Sequence, residues 1–307
     1  MRIFLTGGTG MLGRPLAYLL INHGHDVVIL TRNPKKALKI LPLSCRCHYV
    51  EGDPSLEGSW IKSMDGCHAV VHLAGENIAS RRWTKTFKQL ICDTRLNSTR
   101  IIINAIRSMV IPPKVFLGTS AIGWYGDTGQ SLVNESATSA SADFFGQLCT
   151  NLENASSCLQ GICRRVIIRV GVVLKRHEGA LSKIELPIRW LIGGPLAGGQ
   201  FFMSWIHWFD LIQMYKWVLE NEGLDGIFNG TAPEPVRNID LINNIALRLS
   251  KPVFFPVPYA VLRLFIGEFA QYLCSSQRIL PFRAEEAGFS FFFPTLNQAL
   301  DQEYRPA

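Results

Sequence analysis

The chain has 307 residues, of which 48% are hydrophobic and 18% charged, and its formal net charge is +7. This length is sufficient to bury a large core, and the composition is typical of a globular protein rather than a disordered or fibrous one. The N-terminus reads as a core strand, so we expect no secretory signal. No cysteine pair or cysteine–histidine set has metal-site spacing, so no metal is expected. We expect reduced thiols in a cytoplasmic protein, at positions 45, 47, 67, 92, 149, 158, 163 and 274.

The positive charge does not form a nucleic-acid-binding pattern. Lysines and arginines are scattered, and the one cluster, at positions 35, 36 and 39, is short. A basic pocket for a phosphorylated cofactor or an acidic small-molecule substrate explains the charge better, so we expect no nucleic-acid partner.

The first thirteen residues contain the most informative motif. Residues 1–6 predict a buried strand, residues 7–13 follow as Gly-Gly-Thr-Gly-Met-Leu-Gly, and residues 14–23 predict a helix. In this setting Gly7 permits a tight turn, Gly10 allows the backbone to approach a diphosphate, and Gly13 allows close packing of helix on strand. The motif predicts a dinucleotide site at the helix N-terminus.

The second predicted strand, 26–31, indicates which dinucleotide is bound. Arg32 follows Thr31 directly, and no acidic residue occurs nearby before Glu51. An acidic side chain at this position would bind the ribose 2′-hydroxyl of NAD, whereas an arginine accommodates the 2′-phosphate of NADP. We therefore predict NADP(H), with a solvated loop arginine as the alternative.

Further strands are predicted at 48–53, 69–75, 115–119 and 165–173, with a long helix at 93–106. Strands that alternate with helices predict a parallel, doubly wound sheet of the Rossmann type, in the α/β class. Asp53, at the end of the third strand, could face an adenine amino group or cap a helix.

The second half of the chain is less regular. It predicts a loop at 193–199, a helix at 208–221, a strand at 226–230, and helices at 238–250 and 257–273. We divide the chain into an NADP-binding domain, 1–176, to which 205–230 returns, and a smaller mixed substrate-binding lobe, 177–307. Residues 253–270 are apolar, but prolines and charges interrupt them, which favours a helix on the domain surface over a membrane span. Peripheral membrane contact is the alternative.

A family resemblance extends over almost the whole chain. Its motifs include residues 6–13, 31–34, 73–78, 118–126, 169–174, 193–196, 204–207, 235–238 and 280–289. The chain resembles the extended short-chain dehydrogenase/reductase superfamily, and in particular its atypical NAD(P)-dependent epimerase family branch with a C-terminal domain of unknown function. The resemblance implies an NADP(H)-dependent oxidoreductase or epimerase that acts on a small, nucleotide-sugar-like substrate. We expect a monomer or homodimer.

The glycine motif and the resemblance together predict the cofactor contacts. They are Thr6, Gly7, Gly8, Thr9, Gly10, Met11, Leu12, Gly13, Thr31, Arg32, Leu73, Ala74, Gly75, Glu76, Arg95 and Val172.

The usual catalytic pair of the superfamily, a tyrosine four residues before a lysine, is absent. None of the seven tyrosines has a lysine at the fourth following position, and the matching segment has Asp143 and Gln147 instead. Ser120 matches the serine that orients the substrate, so Ser120, Tyr125 and Asp143 are the catalytic candidates. The structural alternatives are strand-end capping for Ser120 and loop packing for Tyr125. Loss of catalysis would instead leave an NADP(H)-binding regulator or scaffold.

Polar residues of the second lobe are candidates for the substrate site. Trp205, His207 and Asp210 are expected to face a cleft between the lobes, where His207 could act as an acid or base. Arg237 could hold a substrate phosphate or carboxylate. Otherwise, His207 anchors a loop and Arg237 pairs with Asp240 or Glu234.

Overall fold

The computed structural model describes residues 1–41 and 46–305, so Cys45 lies outside the described residues. The strands are β1 (Arg2–Thr6), β2 (Asp26–Thr31), β3 (Cys47–Glu51), β4 (Ala69–His72), β5 (Val115–Ala121), β6 (Arg164–Val170), β7 (Val172–Lys175), β8 (Phe202–Met203), β9 (Trp205–His207), β10 (Gly226–Gly230) and β11 (Val236–Arg237). The helices are α1 (Gly13–Asn22), α2 (Pro34–Ile40), α3 (Lys85–Ser108), α4 (Phe144–Ala155), α5 (Gly179–Arg189), α6 (Trp208–Glu220), α7 (Asn238–Arg248), α8 (Tyr259–Ile266), α9 (Phe269–Leu273), α10 (Phe282–Glu286) and α11 (Leu296–Glu303). The seven cysteines in this part of the chain are free thiols.

The central sheet has seven parallel strands in the order β10-β6-β5-β4-β1-β2-β3. The predicted Rossmann-type, doubly wound sheet is therefore confirmed. Strand order reverses between β1 and β4, whose ends pair at Thr6 and His72. In sheets of this kind the crevice at the reversal point, beyond the carboxyl ends of the strands, is where ligands bind.

Both faces of the sheet are buried, because alternate side chains of each strand enter different cores. On β1, Ile3 and Leu5 belong to the core on one face, which also includes side chains of α1 and α6, while Phe4 belongs to the core on the other face. Strands of this kind read as continuous apolar runs, which is why the sequence predicts them well.

The sixth predicted strand, 165–173, is wrong as a single element. The structure ends β6 at Val170, and β7 pairs instead with β9 in a separate two-stranded sheet. A Cβ atom at Gly171 would lie 2.7 Å from the Ser204 carbonyl oxygen, so the turn there depends on glycine. This turn carries the chain out of the central sheet into the two-stranded sheet of β7 and β9.

The smaller lobe has its own core, which contains Leu181 of α5, Leu241 of α7 and Leu300 of α11. The helix predicted at 257–273 is two helices, α8 and α9, separated at Gly267, where φ is +68°. No side chain of α8 is buried. Among residues 1–41 and 46–305, no helix is long and apolar enough to cross a membrane.

Candidate functional site: a dinucleotide cleft

The glycine turn has no room for additional side-chain atoms. Gly7 has a φ of +71°, and a Cβ atom there would lie 2.9 Å from backbone atoms of Leu73 and Ala74. A Cβ atom on Gly13 would lie 2.1 Å from the Gly7 carbonyl oxygen. No side chain caps the start of α1, and its first turn has no acidic residue. This turn therefore fits a diphosphate, which backbone N–H groups at a helix N-terminus bind well.

A cleft of about 570 Å³ extends from the glycine turn across the carboxyl ends of the strands. Its volume is within the range of small-molecule and cofactor sites. It is lined by Gly7, Thr9, Gly10, Leu30, Thr31, Arg32, Asn33, Lys36, Ala37, Ile40, Gly52, Asp53, Pro54, Ser55, Leu73, Ala74, Gly75, Glu76 and Thr94.

The part of the cleft beside β2 is cationic. Arg32 and Lys36 both line it, and neither has a hydrogen bond or an ion pair from its charged group to any other described residue. Asn33 caps α2 by accepting a 2.9 Å hydrogen bond from the Lys36 amide, which fixes the start of the helix that carries Lys36. Two unpaired cations beside a diphosphate turn fit an additional phosphate group.

A buried histidine holds the segment opposite the glycine turn. The Ser98 hydroxyl donates to the Thr94 carbonyl, so His72 Nε2 is the donor to Ser98 Oγ at 3.2 Å. His72 Nδ1 then accepts from Thr6 Oγ1 at 2.7 Å, and Thr6 Oγ1 accepts from the Ala74 amide at 3.3 Å. Burial lowers the pKa of His72 to about 3, and the charge of Arg95 contributes. His72 is therefore neutral and positions the residues after β4.

Arg95 of α3 supports the same segment from outside. One of its terminal nitrogens donates to the Glu76 carbonyl at 3.0 Å, and its side chain lies 3.1 Å from where a Cβ of Gly75 would be. Its Nε is buried and has no hydrogen-bond partner among the described atoms. Burial lowers the pKa of Arg95 from its ordinary value. An unsatisfied buried donor at the edge of the site is consistent with a ligand acceptor there.

The structure brings together many of the predicted cofactor residues, but not all of them. Those that line the cleft are Gly7, Thr9, Gly10, Thr31, Arg32, Leu73, Ala74, Gly75 and Glu76. The others are not in its lining: Thr6, Gly8, Met11, Leu12, Gly13, Arg95 and Val172. Several of these lie beneath the lining residues. Thr6 bonds to His72, and a Cβ at Gly8 would lie 2.7 Å from the Ile29 side chain.

Lys36 and Ser55 also line the cleft, although neither is among the cofactor contacts predicted from the sequence. The signal for Lys36 was available, because Asn33-Pro34 is a strong start for a helix and places Lys36 in its first turn. Asp53 lines the cleft and also accepts from the Ser55 amide at 2.9 Å. It therefore stabilises a turn rather than capping a helix.

The three catalytic candidates do not form an acid–base set in this structure. The Ser120 hydroxyl donates to Glu153 at 2.8 Å, and the Tyr125 hydroxyl donates to Asn229 at 2.9 Å, both in the interior. Burial raises the pKa of Tyr125, and the nearby Arg169 only partly offsets this. Asp143 caps α4 by accepting from the Gly146 amide at 2.7 Å.

Glu153 and Arg169 are the centre of this interior network. Arg169 donates to both oxygens of Glu153 at 2.9 and 2.8 Å, and its guanidinium lies 3.6 Å from the ring centroid of Trp124. Burial alone would lower the pKa of Arg169, but the hydrogen bonds and charge of Glu153 raise it above its ordinary value. Both side chains are almost fully buried, so each is the charge partner that the other requires in the core.

The expectation that Trp205, His207 and Asp210 face a cleft is wrong. All three are at most 1% exposed. His207 bonds to Glu303 at 2.9 Å, and Asp210 accepts from the amides of Phe292 and Phe293. These polar groups join α6 to the C-terminal segment.

Arg237, the fourth substrate-site candidate, is exposed. It donates to Gln200 at 2.9 Å rather than pairing with Asp240 or Glu234. Glu268 is bonded to Lys88 at 2.5 Å.

Comparisons with known proteins agree with this geometry. Residues 3–144 match the family model described as NAD dependent epimerase/dehydratase family, and residues 257–303 match a domain of unknown function, DUF1731. The mouse epimerase family protein SDR39U1 is 33% identical over 98% of this chain and 98% of its own length. The chain belongs to the epimerase family. Another member, YfhF of Bacillus subtilis, is 33% identical over 98% of this chain and 97% of its own length.

Solved structures show the same fold as this epimerase-family chain. Human SDR39U1, isoform 2, crystallised with NADPH, has a TM-score of 0.89 and 31% identity, covering 99% of both chains. UDP-glucuronic acid 4-epimerase from Bacillus cereus, in complex with UDP-glucuronic acid and NAD, has a TM-score of 0.79 at 18% identity, covering 99% of this chain and 98% of its own. At that identity the second likeness concerns the fold alone.

Proposed function

We propose that this epimerase-family chain is an NADP(H)-binding protein, with the diphosphate on the glycine turn and the 2′-phosphate at Arg32 and Lys36. The observation that carries the proposal is one continuous cleft with the glycine turn and the two unpaired cations in its lining. The human relative crystallised with NADPH supports the choice of cofactor. When bound, NADPH supplies a hydride, while the protein supplies its position and electrostatic surroundings.

Charge reversal in α2 and at its start tests this assignment. Arg32→Glu and Lys36→Glu should each weaken NADPH binding at least tenfold and change NADH binding much less, because only NADPH carries the 2′-phosphate. Lys39→Glu is the matched control, since Lys39 is an exposed lysine on the same helix that does not line the cleft. Calorimetric titration with both nucleotides measures the effect. Equal losses for NADPH and NADH would contradict the 2′-phosphate site.

We further propose that the cofactor unit is residues 1–176 with 205–230, and that 177–307 otherwise forms a substrate lobe. In support, β10 extends the central sheet beside β6, and α6 packs in the same core as α1. The lobe has a separate core of α5, α7 and α11 side chains. We propose that the small, nucleotide-sugar-like substrate of an oxidoreductase or epimerase binds between these two units.

A specific observation favours a second candidate, an NADP(H)-binding regulator or scaffold with weak or no catalysis. The hydroxyl groups of Ser120 and Tyr125 are directed at buried partners, and Asp143 is occupied as a helix cap. Proton transfer needs a group within hydrogen-bond reach of the substrate, and none of the three is free for it.

Turnover separates the two candidates. Fluorescence decay of bound NADPH, followed against a panel of carbonyl compounds and nucleotide sugars, should show substrate-dependent oxidation if the protein is an oxidoreductase. An epimerase with no net hydride loss is detected by separating sugar products. Tight NADPH binding with neither signal supports the binding protein.

A further inference from the structure

The smaller lobe carries a group of exposed, large apolar side chains. They are Trp190 and Ile192 after α5, Phe254 and Phe255 before α8, and Leu264 and Phe265 on α8, with exposures of 72%, 76%, 62%, 80%, 67% and 72%. We call these six residues the apolar face. Scattered exposed apolar residues are ordinary on soluble proteins, but several exposed aromatic and aliphatic side chains on segments that are joined to one another mark an interaction surface.

Backbone hydrogen bonds join the segments of the apolar face. The Val257 amide donates to the Pro195 carbonyl at 2.8 Å, and the Ala197 amide donates to the Val257 carbonyl at 2.9 Å. These bonds hold the loop after α5 beside the segment that leads into α8. Since α8 has no buried side chain and Leu264 and Phe265 are mostly exposed, these two residues do not contribute to the core of their own lobe.

The surroundings of the apolar face are basic. Lys251 and Arg263 are exposed in the same segments, and Arg81 and Arg82 adjoin the end of α8, where the Trp83 amide donates to the Ile266 carbonyl. None of these four cations forms an ion pair with another described residue.

The acidic residues of the same segments are already neutralised. Glu185 is 4% exposed and is bonded to Arg189 and Tyr304, while Glu268 is bonded to Lys88. The surface therefore combines exposed apolar side chains with unpaired positive charges.

We propose that the apolar face docks on an anionic lipid bilayer, with α8 lying in the plane of the membrane surface. Amphipathic segments with aromatic and leucine side chains beside Lys and Arg bind such interfaces, and the basic residues are attracted to anionic headgroups. A second copy of the chain fits less well, because a two-fold contact would place four unpaired cations against four others.

Sedimentation of the full chain with lipid vesicles tests the proposal. At low salt, the protein should bind vesicles of phosphatidylcholine with phosphatidylglycerol at least tenfold more tightly than vesicles of phosphatidylcholine alone. Binding should weaken in 0.5 M salt, which screens charge. Phe254→Ser with Phe255→Ser should reduce binding at least tenfold, and so should Arg81→Gln with Arg82→Gln.

The matched control is Val110→Ser with Ile111→Ser, in the loop before β5, where the side chains are 98% and 78% exposed. It should bind vesicles like the unchanged protein, and retained NADPH affinity shows that each variant is folded. Three results would overturn the proposal. They are no binding to anionic vesicles at low salt, equal loss in the control, and dimers that the Phe254/Phe255 variant disperses without any vesicle binding.

Discussion

The Glu153–Arg169 pair indicates whether Ser120 has a catalytic or a structural role. The family resemblance implies that Ser120 orients the substrate, yet its hydroxyl donates to a buried carboxylate that also accepts both hydrogen bonds from Arg169. Breaking a buried ion pair by removing one charge is strongly destabilising, because the other charge remains in the core. These contacts assign a structural role to the network.

Glu153→Gln should therefore lower the free energy of unfolding by about 3 kcal/mol, because it leaves the Arg169 charge uncompensated. Ser120→Ala should cost only about 1 kcal/mol, since it removes one hydrogen bond and keeps the pair. Urea denaturation followed by circular dichroism measures both. If Ser120→Ala instead left stability unchanged and abolished turnover, Ser120 would be a catalytic residue.

His72 should make stability depend on pH. Its pKa is about 3 in the folded protein and about 6.5 when unfolded, so below pH 6.5 the unfolded chain binds a proton that the native state does not. The contribution of neutral His72 to the free energy of unfolding is fully retained above pH 6.5. It is lost as the pH falls towards 3, and the loss is about 2 kcal/mol at pH 5. Denaturation midpoints between pH 7.5 and 5 test this.

The matched variants for this experiment are His72→Gln and His48→Gln, because His48 is exposed on β3. His72→Gln should reduce the slope of stability against pH by up to about 1.4 kcal/mol per unit, whatever its effect at neutral pH. His48→Gln should leave the slope unchanged. The same slope in all three proteins would show that His72 titrates normally.

Among the elements, the turn after β1 and the start of α1 depend on Gly10 and Gly13, for different reasons. A Cβ at Gly13 would lie 2.1 Å from a backbone oxygen, whereas the nearest atom to a Cβ at Gly10 is 3.2 Å away and Gly10 lines the cleft. Gly13→Ala should thus lower stability by about 2 kcal/mol and abolish NADPH binding.

Gly10→Ala should keep the fold and lose NADPH affinity at least tenfold, because its methyl group enters the space for the diphosphate. Thermal unfolding and calorimetric titration, applied to both variants, separate folding from binding. Normal NADPH affinity in Gly10→Ala would place the diphosphate elsewhere.

Elements with strong local signals could be predicted from the sequence. The apolar runs of β1, β2 and β4 and the glycine turn located the cofactor cleft, because strand ends at a reversal point converge. The helix α3 begins at Lys85, not 93, since Thr84 caps it through the Phe87 amide. Thr84, a residue type that favours helix N-caps, could have indicated this boundary, but the helix was predicted to begin at residue 93.

Long-range pairings could not be predicted in the same way. The partner of Glu153 lies on β6, and His207 bonds to Glu303 across 96 positions of sequence. The division of 257–273 at Gly267 depends on contact with Trp83, whose carbonyl oxygen would lie 2.7 Å from a Cβ there. Such contacts follow from tertiary packing, which no local pattern encodes.

In the whole molecule, which has a net charge of +7, two groups of basic side chains form no ion pair with other described residues. Arg32 and Lys36 lie in the cleft at the reversal point, and Arg81, Arg82, Lys251 and Arg263 lie in or next to the segments of the apolar face. The first set suits a phosphorylated cofactor and the second an anionic surface, so the basic character does not require nucleic acid.

Calorimetric titration of the unchanged protein with NADPH and with NADH is the decisive test of the cofactor site. A cleft with a diphosphate turn and two unpaired cations predicts that NADPH binds with one site per chain and at least tenfold more tightly than NADH. Equal affinity for the two nucleotides would contradict the role of Arg32 and Lys36. Binding of neither would contradict the cofactor site itself.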